Sequence, residues 1–277
     1  MEKTTLADKY LTFSEESEKL LNSELVESMT DTFNKVYPAI CDFFNDGEIR
    51  NVVFDPDPNF DLPPSLIVIT DDDDGSMIAN NLIKFNPNDV ICQEGIWSVD
   101  WMTHELVHVA QNYKYGNSGN YPHWIVEGLA DYGGAKFVGL YKKEADWFIP
   151  KVTGNKDKKL YLHGYRWAAG FFLWIEENID EALPKDLNNT IKSGKYTDNY
   201  FAEKTGSTLD ELWVMYLDAS TLKHFAWIEE KFNIKVPEKL NDRIINGQID
   251  DTDDNYFIEK TGKTFDELWE IYTESSR

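Results

Sequence analysis

The stretch Trp101-Met-Thr-His-Glu-Leu-Val-His-Val-Ala-Gln111 constrains this chain more than any other. It carries His104-Glu105-x-x-His108, a spacing that brings the two imidazoles together on a helix, where residues four apart share a face. Two histidines so placed grip one metal ion from one side, and Glu105 can reach a water held by that ion. Such a helix must be buried. Met102, Leu106, Val109 and Ala110 are its expected core side, over a span from Ser98 or Asp100 to Tyr113 that Gly116-Asn-Ser-Gly-Asn120 interrupts.

Zinc catalysis needs three protein ligands and one open position. The chain has five histidines: His104, His108, His123, His163 and His224. A metzincin would place its third histidine six residues after His108, where Lys114 stands, and would have Gly where Gln111 stands, so that pattern fails. Glu127 fits better. It lies nineteen residues on, in Trp124-Ile-Val-Glu-Gly-Leu-Ala-Asp-Tyr132, a second helix opened by Pro122. Asp131 shares its face one turn later and can accept the free ring N–H of a ligand histidine, fixing its tautomer. His123, at the mouth of the same helix, is the rival ligand. A purely structural zinc site would have no use for Glu105 and would normally close its fourth position.

These residues predict metal-assisted hydrolysis, with Zn2+ as cofactor and a peptide or protein as substrate. Glu105 acts as general base and later as proton donor to the leaving amine. Tyr165 and His163, on the aromatic stretch His163 to Asn178, are the candidate donors to the oxyanion, with hydrogen-bonded core residues as the plainer alternative. That stretch is apolar nearly all round and should be buried.

The net charge of −23 argues against nucleic acid as a partner. Hydrophobic residues at 42%, with 9 Trp, 14 Tyr and 16 Phe, are enough for a real core. No run of eighteen apolar residues predicts a membrane span. The start, Met1 to Asp8, lacks an apolar signal core, so either the protein is intracellular or a leader has been removed. Cys41 and Cys92 read as two separate buried thiols, one bridge being open to them in an oxidising compartment.

The remaining chain suggests an α+β fold. Ser14 to Asn45 has helical periodicity, with Glu15-Glu16 at its start. Asn51–Phe54, Ser65–Thr70 and Asn81–Phe85 read as strands of a small mixed sheet, with a solvated turn at Asp71–Gly75. Asn81–Phe85 is read either as an edge strand before the zinc helix, adding to the substrate backbone, or as an ordinary sheet strand. The C-terminal part contains a tandem repeat, about 174–216 and 227–272. Asn199-Tyr-Phe-x-Glu-Lys-Thr-Gly-x-Thr-x-Asp-Glu-Leu-Trp213 returns as the same pattern over Asn255 to Trp269. Each copy ends in a capping box, Thr208 with Glu211 and Thr264 with Glu267. The expected division is a catalytic region over 1–180 and a helical C-terminal region over 181–277.

His104-Glu-Leu-Val-His-Val-Ala-Gln111 followed by Trp124-Ile-Val-Glu-Gly-Leu-Ala-Asp-Tyr132 resembles the basic secretory protein family. Gly75–Phe85, His163-Gly-Tyr165 and the run from Gly194 to Trp213 resemble further parts of it, so the likeness covers roughly residues 30 to 218. It implies a gluzincin, thermolysin-like metallopeptidase, most simply an endopeptidase, with His104, His108 and Glu127 on zinc and Glu105 as general base. It also implies export. The acidity of this chain departs from the family's name, and the second repeat copy looks like an addition. A rival reading makes the repeat a protein- or glycan-binding module and the metal site vestigial or structural.

Overall fold

The structure, a computed structural model, describes residues 4–15, 17–61, 65–68, 81–87, 96–113, 122–138, 159–245 and 251–275. Asp71–Gly75, Cys92, Lys114 and the turn at Gly116–Asn120 lie outside the described residues. The chain forms two compact units that interleave in sequence. One comprises Met1–Pro122, Leu129–Ala145 and Lys185–Tyr196; the other comprises His123–Gly128, Asp146–Pro184 and Thr197–Arg277.

The first unit is built on a mixed sheet. Its strands are β1 (Leu11–Phe13), β2 (Val52–Pro56), β3 (Ser65–Val68) and β4 (Asn81–Phe85), in the order β1-β2-β4-β3. β1 and β4 run parallel to β2, and β3 runs antiparallel to β4. The fold class is therefore α+β, as the sequence suggests. Asn81–Phe85 is not an edge strand: β4 is paired on both sides, and its alternate residues Ile83 and Phe85 are fully buried. Among the described strands, the edge beside it is β3.

The helix expected from Ser14 is also shorter than its periodicity implies. Two short helices, α1 (Ala7–Tyr10) and α2 (Ser17–Leu20), come first, with β1 between them. The long helix α3 (Ser23–Phe44) starts only after Asn22, whose side chain accepts from Leu25 N–H at 2.8 Å. That cap supplies the acceptor which the first turn lacks and fixes the start. Met29, Phe33, Val36, Tyr37 and Ile40 then present one buried stripe. Cys41 is a buried free thiol, and burial pushes its pKa up to about 11.

Helix α4 (Ile96–Gln111) is seated on this frame. Trp101 meets Phe54 and Phe85 of the sheet at ring-centroid distances of 5.8 and 5.0 Å. Met102, Leu106, Val109 and Ala110 are buried as expected, and Val107 with them. Helix α5 (His123–Val138) gives Leu129 onward to this unit. A Cβ at Gly133 would lie 2.6 Å from Val107 Cγ2 and 2.8 Å from Phe44 Cε2, so the absence of a side chain there lets α5 close on α3 and α4.

In the second unit a 3-10 turn at Leu160–His163 leads through Gly164 into α6 (Tyr165–Asn178). Helix α7 (Leu183–Lys192) follows and from Lys185 onward belongs to the first unit; the second unit resumes with α8 (Tyr200–Thr205), α9 (Leu209–Phe232), α10 (Glu238–Ile245), α11 (Asp251–Thr261) and α12 (Phe265–Ser275). Helix α9 belongs to both repeat copies, ending the first and starting the second. Both capping boxes form: Thr208 with Glu211 opens α9, and Thr264 with Glu267 opens α12. The second copy has its own core of Phe225, Ile228, Val236, Leu240, Ile244, Phe257, Phe265, Leu268 and Trp269. With Trp174 matched to Trp227, the fully buried His224 occupies the place of Phe171 and meets Trp269 edge-on at 4.3 Å. No described helix is long and apolar enough to cross a membrane.

Candidate metal centre

His104, Glu105 and His108 ride on α4 and are 9, 5 and 8% exposed. The two imidazoles stand edge-to-face, with Nε2 to Nε2 at 3.0 Å. Glu127, on the first turns of α5, is half-buried. One ligand atom from each of His104, His108 and Glu127 lies within 4.8 Å of the other two.

The far side of each ring is also engaged. His104 Nδ1 meets Asp131 Oδ1 at 2.5 Å. His108 Nδ1 meets Gln111 Oε1 at 3.0 Å. A carboxylate only accepts, so His104 donates from Nδ1 and its Nε2 carries a lone pair. The Gln111 carbonyl imposes the same tautomer on His108. Two lone pairs facing each other at 3.0 Å repel, and a cation between them turns the repulsion into attraction. With Glu127 the donors are N, N and O, a set that suits a divalent metal and leaves a coordination position over. The residues therefore fit the ion that the spacing implied.

Glu127 is held in place by its neighbours in the second unit. Trp124 stacks on Phe172 at 5.7 Å and meets Tyr161 edge-on at 4.8 Å. A Cβ at Gly128 would fall 2.3 Å from the Ala168 Cβ, so α5 and α6 touch backbone to side chain at that point. Gly164 adopts φ 69° and ψ −153° against this turn, and a Cβ there would sit 3.3 Å from both Glu127 Cβ and Trp124 Cα.

The other candidates fall on the rim. His123 is exposed, with Nε2 3.5 Å from Glu127 Oε1. Tyr165 follows Gly164 at φ 47°, is 47% exposed, and has its ring 6.3 Å from that of His123. His163 is exposed in the 3-10 turn. The spacing argument from the sequence gives Gln111 no partner. The signal was there: a residue three after a helical histidine is its neighbour.

A mostly helical α+β fold with a small mixed sheet thus presents a His-His-Glu cluster on two helices, its histidines buried and its glutamate half-buried, a centre able to hold a metal. The chain belongs to the basic secretory protein family, described as peptidases of plants and bacteria, which matches residues 69–216, just over half of its length. The matched span takes in α4, α5 and the first repeat copy and stops short of the second. No curated protein and no solved structure matches the chain.

Proposed function

We propose that this protein is a zinc-dependent peptidase of the gluzincin kind, acting as an endopeptidase through Glu105. One observation carries the reading: His104, His108 and Glu127 converge while both histidines are held at Nδ1 by acceptors. A zinc ion bound there supplies a Lewis acid and lowers the pKa of its water to about 7. Glu105, buried one residue from a ligand, takes the proton from the attacking water and returns it to the leaving amine. Tyr165, exposed beside His123, is the candidate donor to the developing oxyanion. The outer edge of β3, which pairs only with β4 among the described strands, offers backbone groups to an extended substrate. Export belongs to the same reading and rests on the family resemblance alone.

Zinc content and cleavage of an unfolded protein, compared between the native chain and Glu105→Gln, test it. Retained zinc with lost cleavage is the expected result. Undiminished cleavage by Glu105→Gln would overturn the mechanism. Zinc without cleavage in the native chain would favour the binding-module reading.

A further inference from the structure

Gln111 ends the metal helix one turn after His108 and is 1% exposed. Its Oε1 is 3.0 Å from His108 Nδ1, while its Nε2 is buried with no hydrogen-bond partner among the described residues. A buried amide with an unsatisfied donor lowers stability; an apolar side chain of the same length would avoid that loss but would take the acceptor away from His108 Nδ1. The half of the amide that is engaged faces a metal-ligand histidine. The backbone holds it there: Asn112 turns the chain at φ 46°, and the Tyr113 hydroxyl donates to Asn188 Oδ1 at 2.9 Å.

We infer that Gln111 is a positioning residue for metal capture. Its carbonyl keeps the proton of His108 on Nδ1 and so keeps the Nε2 lone pair directed at the shared ion. Asp131 does the same for His104, but with a charge. The neutral amide achieves this without adding another carboxylate to a site that already holds Glu105, Glu127 and Asp131. This inference rests on the metal-centre reading above.

The test is zinc affinity of the full chain, measured by competition with a chromogenic chelator, alongside thermal melting of the metal-free proteins. Gln111→Leu should weaken zinc binding about 10- to 100-fold, the usual effect of losing such a partner. Its metal-free melting temperature should stay near the native value, since the loss of one orphaned donor, Gln111 Nε2, offsets the loss of the acceptor at His108 Nδ1. Gln111→Glu, an acceptor only, should restore affinity to near the native value. Gln111→Met serves if the Leu variant fails to fold. Native affinity in Gln111→Leu and Gln111→Met would overturn the inference. So would a Gln111→Glu variant as weak as the Leu variant, or a lowered metal-free melting temperature with unchanged affinity. A native chain that takes up no zinc would overturn the metal centre itself, and this inference with it.

Discussion

His104 Nδ1 and Asp131 Oδ1 stand 2.5 Å apart, a contact that spans 27 residues of sequence and joins two helices behind the candidate metal centre. Asp131 is 6% exposed. Asp131→Ala should leave the His104 ring free to take the other tautomer, and zinc affinity should fall by about 10- to 100-fold. Asp131→Asn keeps an acceptor oxygen and should lose less. Chelator competition on both variants, with circular dichroism to follow the fold, checks the order. Equal affinity in Asp131→Ala and the native chain would contradict it.

Gly133→Ala sets two effects against each other. Alanine is favoured over glycine inside a helix by about 1 kcal/mol. Its Cβ, however, would meet Val107 Cγ2 at 2.6 Å and Phe44 Cε2 at 2.8 Å, and forced overpacking costs about 1–3 kcal/mol. The clash involves a branched side chain and a buried ring, so the loss should win. Denaturant unfolding should show a lower midpoint than the native chain.

Gly164→Ala should act on both stability and binding. A residue with φ 69° and ψ −153° is in a region that is nearly glycine's alone, worth about 1–3 kcal/mol of strain to an alanine. The new methyl would also press on Glu127 Cβ from 3.3 Å. Melting temperature and zinc affinity should drop together. A drop in melting temperature with native zinc affinity would show that Glu127 does not feel the turn.

Asn188 is fully buried and joins two elements of the first unit. Its Nδ2 donates to the Phe44 carbonyl at 3.1 Å, and its Oδ1 accepts from the Tyr113 hydroxyl at 2.9 Å. Asn188→Leu removes both partners, and a buried group left unsatisfied costs about 1–3 kcal/mol. Adding Tyr113→Phe should recover part of the loss, because one orphaned group disappears with it. Denaturant unfolding of the two single variants and the double variant measures the coupling.

Local rules account for what could be read in advance. Helix α4 announces itself as a candidate metal helix by the spacing of His104 and His108, and Glu127 by its place on the next helix. The capping boxes at Thr208 and Thr264 need only residues three apart, and the structure forms both. The misses turn on partners distant in sequence. Leu11–Phe13 became a strand because Val52–Phe54 pairs with it, and Asn81–Phe85 lost its edge because Ser65–Val68 took that place. Helix periodicity across Ser14 to Asn22 gave no hint of either. Asn22 was the exception, a visible cap that the longer apolar rhythm concealed. Gln111 was equally visible, since its partner is three residues away on the same helix.

Asp210 gives a pH-dependent test of the turn that carries Gly164 and Tyr165. Its carboxylate is held below the ordinary value of 3.8, first by the Lys159 ammonium at 2.6 Å and, against the opposing effect of burial, by the Tyr161 hydroxyl at 3.1 Å. A carboxylate with a depressed folded pKa binds its proton more weakly folded than unfolded. Its contribution is therefore complete above the unfolded value near pH 4 and fades as pH falls through the folded one. The side chain is more than half exposed, so solvent screening keeps the contribution to about 0.2–1 kcal/mol. Asp210→Asn should melt slightly below the native chain at pH 6 to 7. The gap should close as the pH falls below 3.8. A gap that stays constant down to pH 3 would show that the ion pair is not its source.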